Sequence, residues 1–234
     1  MKLPISKRLL CCAGLIPPGS RVADIGTDHG YLGIHLLKEG LARGVIACDL
    51  REGPLDNARR NAALFGLQAQ MDFRLSDGLE KLQPGECECI VLAGMGGDLI
   101  VRILSRCSWL KDKSLTLVLQ PQSGGNALRR WLCQTGFEIL REEPVADGSF
   151  LYTVMQVRFG KASAPTPGEE YCSPALLQSE SPLLGAYLAR VEGALKTTVA
   201  GLRNAEKQRP ERLSYFSQAL REIQEMRERY ADHS

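Results

Sequence analysis

The sequence predicts an open α/β sheet of seven strands, six parallel and one antiparallel, followed by an α-helical hairpin. Three observations predict it. Apolar strand-like runs alternate with helical patterns, which argues for a parallel sheet with helices on both faces. A glycine-containing turn follows the first of those runs. The last two runs have only residues 144–150 between them, too few for a crossover helix.

Strands are expected at 21–26, 44–50, 71–76, 88–94, 115–120, 137–143 and 151–159. Helical patterns fall between them at 31–39, 54–65, 98–107 and 126–134, with a short piece at 78–81. Asp147-Gly148 marks a tight turn before the seventh strand, which must therefore run antiparallel to the sixth. Six parallel strands closed by an antiparallel hairpin strand is the Rossmann-like arrangement typical of methyltransferases; dinucleotide-binding Rossmann domains lack that hairpin.

Residues 160–168 (GKASAPTPG) have linker composition. Beyond them only helical periodicity remains. Leu184, Leu188, Val191, Leu195 and Leu202 form one stripe, and Leu213, Phe216, Leu220, Ile223 and Tyr230 form another, with Pro210 at a first helical turn. They predict two antiparallel helices packed as a coiled-coil hairpin. The expected organisation is a catalytic domain at 1–160, a linker at 161–179 and the hairpin at 180–234.

Composition is that of an ordinary globular protein, with 44% apolar and 24% charged residues among 234. The longest apolar runs, 89–97 and 115–119, are far too short to span a bilayer. The N-terminal stretch is interrupted by Ser6, Lys7 and Arg8 and does not have the form of a signal peptide. Eight cysteines and three histidines offer no CxxC pair and no cluster to complete a metal site, so no metal is expected. Cys48, Cys89 and Cys133 sit in apolar runs as small buried side chains, which fits a reduced, cytoplasmic protein. A net charge of +2 neither demands nor excludes nucleic acid; any RNA-binding surface must be a local basic patch.

The chemistry concentrates at successive strand ends. Residues 21–31 read RVADIGTDHGY, a strand running into a turn with Gly26 and Gly30, where backbone is bare to a ligand. Asp49, with Leu50 after it, ends the next strand at the spacing from which a carboxylate reaches ribose hydroxyls. Asp28 stands where most nucleotide-binding loops carry another glycine, so a pyrophosphate would meet a negative charge. A cationic ligand fits better, and S-adenosyl-L-methionine, with its ammonium and sulfonium, is the natural candidate. Asp24 and Asp28 can hold its ammonium directly or through water. Ser76-Asp77-Gly78 closes the third strand, where Asp77 can accept from the adenine amine. Ala93-Gly94-Met95-Gly96 ends the fourth and leaves backbone open beside the transferred methyl. Each of these also has a plainer reading as turn chemistry.

In order along the chain, SKRL at 6–9, ADIGTDHGYL at 23–32, EGP at 52–54, GMGG at 94–97, LQP at 119–121, RRWL at 129–132 and GFEI at 136–139 resemble the TrmK family of bacterial tRNA adenine-N1 methyltransferases. The likeness covers about residues 1–160. It departs from the family where Gly30 replaces a common alanine, Ala93 a frequent cysteine and Gln122 the usual asparagine. The resemblance implies methylation of N1 of adenine 22 in tRNA with S-adenosyl-L-methionine as cofactor.

Neutral adenine carries an in-plane lone pair at N1, so alignment and charge stabilisation suffice and no strong general base is required. Asp28 is the first candidate for electrostatic stabilisation and Tyr31 for holding the target base; Asp28 as a cofactor contact alone and Tyr31 as core are the plainer readings. The base must be extruded from folded tRNA. RNA contacts are expected from Lys7, Arg8, His29, Arg51, Gln122, Arg129 and Arg130, with Arg59 and Arg60 nearby. Nearly balanced charge in the hairpin suggests a shape-reading arm or a protein contact. A monomer or weak dimer is expected. Two other readings stay open: a methyltransferase for another RNA position or a small molecule, and a non-catalytic RNA-binding scaffold.

Overall fold

The computed structural model describes residues 2–205 and 209–231. The chain runs α1 (Lys7–Gly14), β1 (Ser20–Ile25), α2 (Tyr31–Lys38), β2 (Ala42–Asp49), α3 (Glu52–Leu64), β3 (Met71–Leu75), β4 (Cys89–Gly96), α4 (Gly97–Ser105), β5 (Thr116–Ser123), α5 (Gly125–Gln134), β6 (Phe137–Asp147) and β7 (Phe150–Phe159). Three helices follow, α6 (Pro174–Leu177), α7 (Leu184–Arg203) and α8 (Pro210–Ala231). The strands form one sheet in the order β3-β2-β1-β4-β5-β7-β6. β7 is antiparallel to both its neighbours, so the other six strands run the same way.

The period-2 alternation of a strand explains the two-faced core. Ala23, Ile25, Ile46, Ile90, Leu92, Leu117 and Leu119 point to one face, where Ile100, Ile103 and Leu104 of α4 and Leu128 and Leu132 of α5 cover them. Val22, Val45, Ala47, Cys89, Val91 and Val118 point to the other, against α1 and α2 through Cys12, Leu32 and Leu36. Central strands buried on both faces read as continuous apolar runs, which is why they stand out in the sequence. Ser6 caps α1, its Oγ accepting from the Leu9 amide at 3.4 Å.

Two expectations about local structure need correction. The piece at 78–81 is a turn and not a helix, because Gly78 takes the left-handed φ of 58°. α3 begins at Glu52, two residues ahead of the Pro54 start; within the first turn a proline loses only an amide that has no helical partner. The remaining strands and helices fall where the apolar pattern places them, within a few residues at their ends.

At the β6–β7 hairpin Asp147 pairs with Phe150, and Gly148 supplies the positive φ of the turn. Residues 161–179 run from β7 to the helical pair, and in them Glu170, Cys172 and Ser173 are buried. α7 and α8 pack through Leu184, Leu188, Val191 and Leu195 against Ala219, Ile223 and Met226, a core of their own joined by Cys172 and Leu176. Among the described residues no helix is long and apolar enough to cross a membrane.

Candidate active site

The carboxyl ends of β1, β2, β3 and β4 lie side by side in the sheet, and their following loops shape a crevice. The turn after β1 is pinned to β2: the Gly26 and Thr27 amides both donate to the Cys48 carbonyl, at 2.8 and 2.9 Å. Gly26, Asp28 and Gly30 all take positive φ, at 75°, 52° and 71°. Asp28 is the only described non-glycine residue there, so it occupies the backbone conformation a glycine would take. Asp49 closes β2 with its carboxylate already oriented: Oδ1 accepts from the Arg51 amide at 3.0 Å and Oδ2 from the Asp28 amide at 3.2 Å. Below it the Ser76 amide donates to the Asp49 carbonyl at 2.8 Å, and Ser76 Oγ donates to the Gly78 carbonyl at 3.0 Å.

The cleft between these ends holds about 420 Å³, within the range of small-molecule sites. Of the expected cofactor residues, Gly26, Asp28, Asp49, Leu50, Ser76 and Asp77 line it, as do Gly78, Ala93, Gly94 and Met95. Three do not. Gly30 sits behind the turn as the first residue before α2, where an added Cβ would lie 3.0 Å from Ala58 Cβ. Gly96 precedes α4. Asp24 lines a smaller adjoining cavity of about 70 Å³ together with Arg8, Thr27, His29 and Tyr31. Asp77 lines the cleft with an exposed carboxylate, 3.1 Å from Arg106 Nη1. Leu99, Arg102 and Ile103 of α4 complete the cleft wall and were not among the expected residues; the helical pattern at 98–107 does not mark which of its residues face a ligand.

Asp24 is buried, and burial pushes its carboxyl from 3.8 up to about 6; the Thr27 hydroxyl, donating to Oδ2 at 2.7 Å, opposes that rise and the negative Asp49 adds to it. Gly26, Asp28 and Ala93 form the wall common to both cavities. In the smaller one the His29 and Tyr31 rings stack, centroids 5.3 Å apart, and His29 Nε2 lies 3.7 Å from Asp28 Oδ2. Arg8 reaches in from α1. Its Nη1 donates to Gln120 Oε1 at 3.1 Å, and the same oxygen accepts from the Gly94 amide at 2.9 Å. Gln120 is fully buried, so it serves as a structural tie and does not reach a base edge.

The expected RNA residues separate. Arg8, His29 and Arg51 stand at the mouth of the two cavities, and Lys7 is exposed on α1. Gln122 lies exposed near the end of β5, in a groove shared with α7. Arg130 is turned towards the helical pair, with Nε 2.7 Å from Glu170 Oε1 and Nη2 2.8 Å from the Tyr215 hydroxyl. Arg129 must be withdrawn as an RNA contact. Its side chain is buried and forms an ion pair with Glu142, and it donates further to the Glu170 carbonyl, Thr153 and Tyr187. Burial works against its charge and the adjacent Glu142 carboxylate prevails, holding its pKa above the usual arginine value. Among the described residues no group of three or more His, Cys, Asp or Glu side chains could hold a metal.

In overall shape the chain superposes on the crystal structure of the Bacillus subtilis m1A22 tRNA methyltransferase TrmK with a TM-score of 0.83 at 26% identity, covering 97% of this chain and 100% of that one. Residues 5–155 match the family described as methyltransferase domain. The tRNA (adenine(22)-N(1))-methyltransferase of Bacillus subtilis strain 168 is 32% identical over 194 residues, 83% of this chain and 79% of that protein. The chain belongs to the TrmK family of methyltransferases. A further TrmK-like structure, a putative tRNA (m1A22) methyltransferase of Streptococcus pneumoniae in complex with S-adenosyl-L-methionine, has a TM-score of 0.81 at 28% identity over 95% of this chain and 99% of that one. The likeness to TrmK therefore extends through the helical hairpin, beyond the span of the domain match.

Proposed function

We propose that this chain transfers a methyl group from S-adenosyl-L-methionine to N1 of adenine 22 in tRNA. The observation that carries the reading is the match to the Bacillus subtilis adenine-22 enzyme along both sheet and hairpin, joined to a crevice whose chemistry suits that cofactor. The fit rests on three features: positive-φ glycines at Gly26 and Gly94 on the cleft wall, an oriented carboxylate at Asp49 where a ribose would lie, and a buried carboxyl at Asp24 facing the adjoining cavity.

The cofactor supplies an electrophilic methyl on a positively charged sulfur. The Asp49 carboxylate, already accepting from two backbone amides, is held in place to receive ribose hydroxyls without rearrangement. Asp24 becomes a partner for an ammonium once ionised. Gly94, its amide tied to Gln120, lines the cleft at the end of β4, where an added Cβ would fall 2.7 Å from Arg8 Nη1.

On the substrate side the N1 lone pair needs no base, so the protein's work is alignment. The stacked His29–Tyr31 pair offers a flat surface for an extruded adenine. Asp28, on the wall common to both cavities, balances the positive charge that methylation places on the ring. Lys7, Arg8 and Arg51 flank the mouth for phosphates. Action on tRNA implies a cytoplasmic enzyme, working as a monomer or weak dimer. The test is transfer of labelled methyl to tRNA transcripts that carry or lack adenine at position 22. Labelling of the first alone is expected; equal labelling of both would exclude this assignment.

A further inference from the structure

We infer that Phe150, backed by Tyr152 at the tip of the β6–β7 hairpin, is a stacking ledge for an RNA base flanking the extruded adenine. This rests on the function proposed above and names a part of the RNA surface that the cofactor crevice and the His29–Tyr31 pair do not include.

Phe150 is 60% exposed, unusual for a large aromatic side chain, and its ring stacks on Tyr152 with centroids 5.9 Å apart and planes 28° from parallel. β7 is antiparallel, so its first residues emerge at the same sheet edge as the ends of β1 to β5. The ledge opens onto a groove of about 230 Å³ between the loop after β5 and α7, with Gln122, Asn126 and Arg190 among its polar groups. Aromatic faces, side-chain amides and an arginine beside them suit an unpaired nucleotide: the rings take the base, and the amides and guanidinium take its edge or phosphate. An apolar protein partner would leave those polar groups without water or partners.

The ledge is also fixed relative to the transfer point. Arg8 Nε lies 3.4 Å from Asp147 Oδ2, and Asp147 is the register partner of Phe150. The same guanidinium holds Gln120, and Gln120 holds the Gly94 amide. Three polar contacts thus connect the hairpin tip to the end of β4. Extruding a base strips its neighbours of a stacking partner, and an aromatic held at a set distance replaces it.

The experiment is steady-state methylation of tRNA with Phe150→Ala, Phe150→Leu and Phe150→Trp, alongside calorimetry with S-adenosyl-L-methionine, tRNA binding by fluorescence anisotropy, and sedimentation. Phe150→Ala and Phe150→Leu should each raise KM and Kd for tRNA about tenfold, in line with the loss of one stacked base. Phe150→Trp should keep both within about twofold of wild type, and cofactor affinity should not move in any variant. Wild-type tRNA affinity in Phe150→Leu would overturn the proposal, since leucine keeps the apolar bulk without a π-face. A change of oligomeric state with tRNA affinity intact would overturn it in favour of a contact between copies of the chain. If wild-type protein labels transcripts with and without adenine 22 equally, the assignment of position 22 fails, while the anisotropy series still decides the ledge.

Discussion

The Thr27 hydroxyl donates a 2.7 Å hydrogen bond to Asp24 Oδ2 at the buried end of β1. That bond favours the carboxylate, but burial outweighs it and leaves the acid titrating at about 6. Relative to an unfolded value near 3.8, a raised pKa contributes stability fully present below about pH 4 and lost as pH rises through 6. A bound ammonium has the opposite preference and pulls the proton off. Affinity for S-adenosyl-L-methionine should therefore increase as pH rises through about 6, then level off. Calorimetry between about pH 5 and 8 checks this. Asp24→Asn should flatten the profile and weaken binding at neutral pH, and Thr27→Val should move the midpoint upward.

Asp49 accepts from two backbone amides before any ligand arrives, so its orientation is set by the turn it also stabilises. Asp49→Ala removes a charged acceptor from ribose and leaves the Asp28 and Arg51 amides to water. Hydrogen bonds to charged groups contribute about 1.5–3 kcal/mol. Cofactor Kd should rise on the order of tenfold to a hundredfold in a titration, with tRNA affinity measured without cofactor little changed.

Asp28 carries two properties that substitution can separate. Its φ of 52° costs a non-glycine residue roughly 1 kcal/mol, and its carboxylate faces the site. Asp28→Gly relieves the backbone and should hold or slightly raise the melting temperature while lowering kcat. Asp28→Ala keeps the strain and loses the charge, so it should lower both. Equal kcat for wild type and Asp28→Gly would remove Asp28 from any catalytic role.

The strand-end carboxylates were legible because they depend on local pattern: an apolar run, a glycine turn, then Asp24, Asp28 and Asp49 at fixed positions. Even the backbone at Asp28 was signalled, since the sequence puts it at a glycine position and the chain folds it in a glycine conformation. What could not be seen depends on distant partners. Gln120 becomes a tie only when Arg8, over a hundred residues away, reaches it. Leu99 and Ile103 could not be singled out, because a helix wall of a cleft has the same periodicity as a core face. Arg129 and Arg130 are adjacent, and successive residues on a helix diverge by about 100°. One faces Glu142 inside and the other Glu170 nearer the surface, and nothing between 125 and 134 says which.

The Arg129–Glu142 pair offers a test of that partition. Glu142 also accepts from the Ser173 hydroxyl at 2.6 Å, and Arg129 donates to the Glu170 carbonyl and to Tyr187 on α7, so the pair joins the sheet to the segment leading into the hairpin. Removing one member strands the other charge in the interior, at a cost of about 3–5 kcal/mol. For a chain of this size that lowers the melting temperature by roughly 2–4 °C per kcal/mol. Arg129→Ala should therefore melt about 6–20 °C below wild type, and Arg129→Met, which restores apolar volume but still orphans Glu142, should recover only part of the loss. The double variant Arg129→Met, Glu142→Leu buries no unpaired charge and should stand well above either single change. If Arg129 instead bound RNA, all three would lose tRNA affinity at low temperature without regard to melting. On the buried geometry, anisotropy at about 10 °C should find the double variant binding tRNA as wild type does.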